Sequence, residues 1–295
     1  MRSLNRFKFH EPGSIPEASR LLLDFGSAAR AMAGGTDLLV GIKEKGLRPA
    51  HVVNLKRIPD LAEIRREEDG GLYLGALVTV GAVEQGLAGT PYAVLAEAAA
   101  VLASVQVRNR ATVGGNLCNA SPSADLAPPL IALGAVALCQ GPAGQRELPL
   151  EDFFQGPGQT ALQPGELLVG LRLPEPGARA GAAYVKISPR RAMDIAVVGA
   201  AVALALEPGG GDRVQRARVV LGAVAPTPER ARRAEALLEG RVPDPAALEA
   251  AAEQAMREAR PITDLRASAE YRRDMVRVAV RRAAQAAWAR AQGRS

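Results

Sequence analysis

The sequence predicts an α+β protein made of an N-terminal region, residues 1–175, and a C-terminal lobe, residues 178–292. Three observations support this. Short apolar strands alternate with helices up to residue 54, and hairpin signals then replace the alternation. A turn-forming stretch, Pro174-Glu175-Pro176-Gly177, separates this region from β-leaning segments that are followed by helices. The chain has 295 residues, which is enough to bury two apolar cores.

The first elements alternate as β-α-β-α-β, which predicts a small parallel sheet. Within this unit, Ser14-Ile15-Pro16-Glu17 combines a capping box with a proline in the first helical turn. The predicted elements are a strand at residues 7–9, a helix from 14 to 23, a strand at 29–32, a helix from 36 and a strand at 51–54.

Antiparallel pairing is predicted beyond residue 54. Asp69-Gly70-Gly71 and Gly141-Pro142-Ala143-Gly144 each stand between two β-leaning runs, a pattern typical of hairpins. The expected strands are 64–67, 72–75, 135–140, 146–148 and 167–173, with helices at 91–103 and 126–133. The C-terminal lobe reads as a sheet followed by helices. Its expected strands are 182–187, 197–206 and 214–223, with a Pro-Gly-Gly-Gly turn at 208–211, and its helices are 228–238, 245–259 and 267–289.

Two loops with paired glycines carry the main functional signal. They are Ala33-Gly34-Gly35-Thr36-Asp37 and Thr112-Val113-Gly114-Gly115-Asn116. Paired glycines allow positive φ and close approach to a ligand, and successive N–H groups in such turns form anion sites. The first loop also runs into Thr36-Asp37, which is predicted to be a capped helix start and adds free donors. Two such loops predict a site for a ligand with more than one phosphate, such as a dinucleotide.

Both loops also have an ordinary interpretation as turns, because Gly-Gly pairs are common in a chain with 30 glycines. Neither fits Gly-x-Gly-x-x-Gly or Gly-x4-Gly-Lys-Ser/Thr, the two common phosphate-loop patterns. The segment 117–126 favours the ligand interpretation, since it is dense in short hydrogen-bonding side chains and ends with Asp125. That carboxylate accepts from ribose hydroxyls or an adenine amino group, caps the helix at 126–133, or does both.

Composition argues against several classes of protein. No run of about 18 apolar residues exists, so no membrane span is predicted, and residues 1–8 lack the apolar core of a secretory leader. Two cysteines, Cys118 and Cys139, fit a reducing compartment and are too few for an all-cysteine iron–sulfur cluster. The chain has only two histidines, His10 and His51. A zinc site with several histidine ligands is therefore improbable, and a hydrolase that depends on a Ser-His pair has few candidate histidines. We expect a cytoplasmic chain without a metal of its own.

The net charge of +6 raises the question of nucleic acid, but an aromatic content of 3% leaves few platforms for base stacking. No nucleic-acid partner is expected. Arg273, Arg277 and Arg281 recur every four residues in the last predicted helix. This stripe is interpreted first as a solvated helix face, second as a docking surface for an acidic partner subunit, and last as a nucleic-acid surface.

The two glycine loops, the Ser-Pro-Ser-Ala-Asp-Leu segment at 121–126 and the linker at 174–177 together resemble a known family. From residue 7 to about residue 289, the chain resembles the FAD-binding medium subunit of molybdenum hydroxylases such as xanthine dehydrogenase and carbon monoxide dehydrogenase. The resemblance implies a two-subdomain FAD-binding domain of the vanillyl-alcohol-oxidase, or PCMH, type. It also implies a C-terminal lobe with a three-stranded sheet flanked by helices.

The resemblance further implies the cofactor contacts. The amides of the first loop hold the FAD pyrophosphate, the second loop lines the other side, and Asp125 faces the adenosine half. Leu168 matches a position whose backbone meets the flavin edge, Lys186 a lysine near the isoalloxazine ring, and Asp194 a carboxylate that follows it. Without the resemblance, Leu168 is a core residue and Lys186 and Asp194 form a surface ion pair. The implied FAD-binding residues are Met32, Ala33, Gly34, Gly35, Thr36, Asp37, Leu38, Thr112, Gly114, Gly115, Asn116, Asn119, Asp125, Leu168 and Lys186.

Two effects of substitution are expected from these positions. Gly34→Val or Gly115→Val loses FAD, since a Cβ blocks approach to the pyrophosphate, and the fold survives if these glycines serve the ligand rather than the core. Lys186→Met lowers the flavin reduction potential, since an ammonium near the ring favours the reduced, anionic flavin. No residue of this chain is assigned a catalytic or metal-binding role.

The role implied by the resemblance is electron transfer within a heteromeric oxidoreductase. A substrate is oxidised at a molybdenum centre on a large partner subunit. Electrons cross [2Fe–2S] clusters on a small partner subunit, reduce this FAD and leave to an acceptor such as NAD or a quinone. Two alternatives stand beside it, a self-contained FAD-dependent oxidase or dehydrogenase and a flavin-free assembly protein on the same fold.

Departures from the family pattern argue against two branches of the family. The carbon monoxide branch has His-Ser in place of Thr36-Asp37 and an aromatic in place of Ile195, which disfavours carbon monoxide as substrate. A second branch has an additional four-cysteine cluster in an inserted segment. This chain has only Cys118 and Cys139, so that branch is excluded.

Overall fold

The structure is a computed structural model that describes residues 6–190, 193–209 and 211–294. Residues 1–5, part of the stretch from which no secretory leader is predicted, lie outside the described residues. So does Gly210, within the turn predicted at 208–211. All elements below belong to the described part of the chain.

The first unit is the parallel sheet predicted from the β-α-β-α-β alternation. Its elements are β1 (Lys8–His10), α1 (Ile15–Phe25), β2 (Ala29–Met32), α2 (Leu38–Glu44) and β3 (His51–Asn54). Strands β1 and β2 both pair in parallel with β3, which lies between them. Helix α1 begins as predicted, because Ser14 Oγ accepts from the N–H of Glu17 at 3.4 Å. The first glycine loop therefore leaves the carboxyl end of an edge strand.

The second unit is an antiparallel sheet in the order β4-β5-β10-β6-β7. The two predicted hairpins are its outer pairs, and β10 joins them. Its elements are β4 (Ile64–Arg66), β5 (Leu72–Gly75), α3 (Val80–Gly86), α4 (Ala93–Ala100), α5 (Val105–Arg108), α6 (Val113–Cys118), α7 (Ala127–Ala132), β6 (Val136–Gly141), β7 (Gly144–Pro149) and β10 (Leu167–Leu173). Between β7 and β10, strands β8 (Phe154–Gly156) and β9 (Gln159–Thr160) pair with each other in a separate two-stranded sheet. The helix expected at 91–103 is shorter: it ends at Ala100, and Ala103, with a positive φ of 46° that a helix does not accommodate, lies beyond its end.

The C-terminal lobe is an antiparallel sheet with helices on one face. Its elements are β11 (Ala180–Ile187), β12 (Val198–Leu206), β13 (Val214–Gly222), β14 (Glu229–Arg230), α8 (Arg232–Leu238), α9 (Pro245–Glu258) and α10 (Ala269–Ala291). The first three strands are those predicted. In the described residues a two-residue strand, β14, extends the sheet at β13. The helix expected from residue 228 therefore begins only at Arg232.

The two faces of this C-terminal sheet pack on different layers. Ala201 and Val220, which lie opposite each other on β12 and β13, belong to the apolar core of the N-terminal region and pack on the α7 side. Their neighbours Val202 and Val219 belong to the core formed with α8, α9 and α10. This follows from the alternation of side chains along a strand. Every residue of α7 is buried, so this helix is a wall shared by both parts of the chain.

The arginine stripe of α10 is in part an ion-pair network between helices. Arg281 Nη1 lies 3.2 Å from Glu249 Oε2 on α9, and Arg277 contacts the other oxygen of the same carboxylate. Two of its three arginines are thus engaged within the chain. Among the helices of the described residues, none has both the length and the apolar character needed to span a membrane.

Candidate cofactor site

The first glycine loop presents a row of main-chain donors. It turns at Gly35, whose φ of +79° is available to glycine without strain. Among the described residues, no group accepts a hydrogen bond from the N–H groups of residues 34–38. Asp37 precedes α2 without a side-chain capping bond, contrary to the expected capped start. The loop therefore keeps adjacent free donors of the kind that bind phosphate oxygens.

The second glycine loop does not form a second anion site, because its N–H groups are already engaged. Thr112 caps α6, its Oγ1 accepting from the N–H of Gly115 at 3.0 Å. The N–H of Gly114 donates to the carbonyl of Ala76 at 2.8 Å, and that of Asn116 to the carbonyl of Thr112 at 2.9 Å. The expectation of two main-chain anion sites is wrong for this loop. The second loop can contact a ligand with its rigid backbone and with side chains such as that of Asn116.

Folding brings the two loops together. A Cβ added at Gly34 would overlap the main-chain carbonyl of Arg110, just before the second loop. Beyond α6, Asn119 Nδ2 donates to Asp37 Oδ1 at 3.4 Å. The loops, distant in sequence, therefore lie side by side as two parts of one site.

The fold itself requires two of these glycines. At Gly114 a Cβ would lie 2.7 Å from the Cβ of Ala76, and at Gly34 it would overlap the Arg110 backbone. At Gly115 the obstacle is the Thr112 hydroxyl at 2.9 Å, which belongs to a side chain. Gly34 therefore also serves the packing of the fold, and Gly34→Val is expected to disturb it, because the residue packs against main chain that cannot move aside.

The Asn116 side chain indicates that the ligand also donates hydrogen bonds. Its Oδ1 is buried and has no hydrogen-bond partner among the described residues. Leaving such an acceptor unpaired costs about 1–3 kcal/mol, so it marks a place where a partner is missing. Free donors in the first loop and an unpaired acceptor in the neighbouring second loop fit FAD, which has a pyrophosphate to accept and ribityl, ribose and ring groups to donate.

A buried polar cluster lies where the C-terminal lobe meets the N-terminal region. Lys186 Nζ donates to Asp125 Oδ2 at 2.8 Å and to the carbonyl of Val101 at 3.0 Å. The Tyr184 hydroxyl donates to Asp125 Oδ1 at 2.9 Å. The side chains of Lys186 and Asp125 are only 6% and 8% exposed. Burial raises the pKa of Asp125, and the Lys186 charge and both hydrogen bonds oppose that rise.

This cluster overturns two interpretations based on sequence alone. Asp125 does not cap α7, since Leu126 occupies the capping position and no side-chain bond is made there. Lys186 and Asp194 do not form a surface ion pair, because Lys186 is buried against Asp125. The Asp194 carboxylate instead contacts Arg190 at 3.2 Å.

Met32 lies beside the first glycine loop, and Leu168 lies on the antiparallel sheet. Met32 ends β2, and its Sδ would be 3.5 Å from a Cβ on Gly35. Leu168 is 5% exposed and faces the N-terminal core, opposite Cys139 and next to a bulge before Gly170. Its side chain is thus a core side chain. The contact of its backbone with the flavin, like the other assignments of single residues to FAD, stays a prediction.

Sequence reasoning missed Tyr184 and the carbonyls of Arg110 and Val101. Tyr184 had a usable signal, since residues two apart in a strand share a face and Lys186 was already a candidate. Main-chain carbonyls carry no side-chain signal, and only the tertiary fold brings them to the site.

Two family models match the chain. One is described as "FAD binding domain in molybdopterin dehydrogenase" and matches residues 5–176, and the other as "CO dehydrogenase flavoprotein C-terminal domain" and matches residues 183–287. The carbon monoxide dehydrogenase medium chain of Hydrogenophaga pseudoflava is 37% identical over 292 residues, 97% of this chain and 98% of that one. The xanthine dehydrogenase FAD-binding subunit of Escherichia coli O157:H7 is 32% identical over 288 residues, 97% of both chains.

Solved structures agree with this. Carbon monoxide dehydrogenase from Hydrogenophaga pseudoflava matches with a TM-score of 0.93 and 37% identity, covering 98% of this chain and 99% of that one. Quinoline 2-oxidoreductase from Pseudomonas putida 86 matches with a TM-score of 0.89 and 31% identity, covering 99% of each. The predicted fold class and FAD as cofactor are confirmed. The chain belongs to the family of FAD-binding medium subunits of the molybdenum hydroxylases, which are FAD-dependent oxidoreductases.

Proposed function

We propose that this chain carries FAD as the electron-transfer subunit of a heteromeric molybdenum hydroxylase. An organic substrate is oxidised at a molybdenum centre on a large partner subunit. Electrons reach this chain through [2Fe–2S] clusters on a small partner subunit and leave to an acceptor such as NAD or a quinone. Relatives that are themselves medium chains or FAD subunits of such dehydrogenases support this role.

The observation that carries the proposal is the row of free N–H groups at residues 34–38, together with the unpaired Asn116 Oδ1 in the neighbouring second loop. In this role the first loop binds the pyrophosphate, and Asn116 and Asn119 orient the cofactor from the other side. Asp125 and Lys186 present a carboxylate and an ammonium where the C-terminal lobe meets the N-terminal region. FAD, when bound, supplies the redox chemistry, and the protein contributes binding, orientation and electrostatics.

Asn116→Leu tests the assignment of the site. Replacing an unpaired buried amide with an apolar side chain of similar volume should leave the apoprotein equally or more stable. It should also weaken FAD binding about 10-fold, the equivalent of one lost hydrogen bond of about 1.4 kcal/mol. Thermal unfolding of the apoprotein and titration with FAD give the two readouts.

Ser19→Ala is a matched control, because Ser19 Oγ is also buried without a partner among the described residues but lies in α1. It should affect stability and leave FAD affinity unchanged. Wild-type protein that takes up no FAD, or Asn116→Leu protein that binds FAD as tightly as wild type, would contradict the assignment.

An assay of this chain without partner subunits distinguishes an electron-transfer subunit from a self-contained oxidase. The FAD-loaded chain should hydroxylate no substrate and should still pass electrons from a reduced carrier to an artificial dye. Bleaching of its flavin by a small organic substrate alone, or a stoichiometric metal cluster on this chain alone, would contradict the proposed role.

A further inference from the structure

The C-terminal lobe holds the segment at residues 119–125, which follows the second glycine loop, at two places. At the first, the N–H of Ala223 donates to the carbonyl of Pro122 at 2.7 Å. Ala223 has a φ of +64°, an unfavourable conformation for a residue with a Cβ, which the surrounding contacts must hold. At the second, Tyr184 and Lys186 hold Asp125. The lobe thus fixes a segment that belongs to the predicted cofactor site of the other region.

The hydroxyl of Tyr184 is held in place by the sheet that carries it. Its ring lies over Gly199 on β12, where an added Cβ would be 2.8 Å from the Tyr184 oxygen. The missing side chain at Gly199 therefore gives the ring its room. Burial and the Asp125 charge both raise the pKa of Tyr184 well above its usual value, so the hydroxyl stays protonated and remains a donor.

Asp125 keeps acceptor capacity after these two bonds. An ionised carboxylate has about four lone-pair sites. Tyr184 occupies a site on Oδ1 and Lys186 one on Oδ2, which leaves a site on each oxygen. The carboxylate is therefore fixed in direction and still able to accept from a cofactor hydroxyl or N–H group.

We propose that Tyr184 is a positioning residue of the cofactor site: through its hydrogen bond to Asp125 it holds segment 119–125 in the form that binds FAD. The inference rests on the proposed function and adds a residue to it that lies in the C-terminal lobe. FAD affinity thus depends on a lobe that contributes neither glycine loop.

Tyr184→Phe tests this, since it removes the hydroxyl and keeps the ring over Gly199. The full chain, with any partner subunits that purify with it, is stripped of FAD and titrated with FAD. The dissociation constant should rise about 10-fold or more, as expected for one lost hydrogen bond to a charged group. Amide hydrogen exchange of residues 119–125 in the apoprotein should become faster.

Tyr92→Phe is the matched control. Tyr92 is 1% exposed, and its hydroxyl also makes one hydrogen bond, to the carbonyl of Pro174 at 3.1 Å. Its loss should affect stability but neither FAD affinity nor exchange at residues 119–125. Tyr184→Phe protein that keeps wild-type affinity and exchange would overturn the positioning role.

A mutant cycle in the background Asp125→Ala, Lys186→Met, which removes the carboxylate together with its counter-charge, shows whether Tyr184 acts through Asp125. In that background Tyr184→Phe should change the FAD dissociation constant less than about 2-fold, because no carboxylate is left to accept from the hydroxyl. An equal loss in both backgrounds would overturn the inference. Wild-type protein that takes up no FAD would overturn the proposed function instead. Failure of the proposed function is therefore seen in the wild type, and failure of the inference on Tyr184 is seen only in the variants.

Discussion

Lys186 and Asp125 place two opposite charges in a site where each side chain is less than a tenth exposed. Lys186→Met would leave the carboxylate buried without its counter-charge. The free energy of unfolding should fall by about 3–5 kcal/mol, the cost of breaking a buried ion pair from one side. The flavin reduction potential should also fall, because a positive charge is lost and a negative one is no longer offset. A drop of about 30 mV corresponds to about 1.4 kcal/mol for a two-electron couple.

The double variant Asp125→Asn, Lys186→Met removes both charges and is the control for this effect. It should recover most of the stability and most of the potential. Denaturant unfolding and a redox titration on FAD-loaded protein give both values. An unchanged or raised potential in Lys186→Met would show that the ammonium does not act on the flavin.

Asp264 makes the C-terminal lobe sensitive to acid. Hydrogen bonds from the N–H of Arg266 and from the Arg272 guanidinium, each at 2.8 Å, lower the pKa of this carboxyl from 3.8 to about 2. A group whose pKa is lower in the folded state stabilises the fold fully above its unfolded pKa. This contribution is therefore present above about pH 4 and lost as the pH falls toward 2.

Asp264→Asn should remove that acid-dependent contribution. The difference in unfolding free energy between wild type and variant should be largest at pH 5 and shrink toward pH 2. Denaturant unfolding at a series of pH values measures it. Two curves that stay parallel over this range would mean that Asp264 is not responsible.

At the scale of elements, substitutions of the glycines in the two loops show which glycines are needed for packing and which for ligand binding. Gly34→Ala and Gly114→Ala should each destabilise the apoprotein by about 1–3 kcal/mol, because the new Cβ collides with the backbone of Arg110 or with Ala76. Gly115→Ala should cost less, since only the Thr112 side chain must move. Thermal unfolding without FAD measures all three.

Gly177→Ala is the control, because nothing lies within 4 Å of a Cβ at that position. It should leave the stability of the apoprotein nearly unchanged. A Gly34→Ala protein as stable as wild type, and impaired only in FAD binding, would return this glycine to a purely ligand-related role.

Local signals were enough to predict most elements. The capping signal at Ser14 and the turn glycines of the hairpins act over a few residues, and the structure has the corresponding elements. Two differences came from the backbone and from tertiary pairing. The helix expected at 91–103 ends at Ala100, before Ala103 with its positive φ, and β14 forms only because β13 lies beside it.

For the whole molecule, the sequence predicted which loops make up the candidate site but not how they bond. The free N–H groups of the first loop follow from its local conformation. Those of the second loop are engaged, in part by the carbonyl of Ala76 from a distant segment. In the same way, Asp125 meets Tyr184 and Lys186 across the contact between the two parts of the chain. Contacts of this kind leave no local pattern, so the resemblance supplied the residues and only the structure supplied their partners.

The burial of α7 on all sides has a consequence for how this protein can change over evolutionary time. The linker at 174–177 is a boundary in the sequence, but the two parts share one wall of α7, Ala201 and Val220. A shuffled gene that exchanged the C-terminal part alone would have to match that wall, or leave an apolar surface prone to self-association. A larger side chain at Ala201 would push on α7, which begins two residues after Asp125. Mutational drift in the two halves is therefore constrained jointly, and they are inherited as one unit.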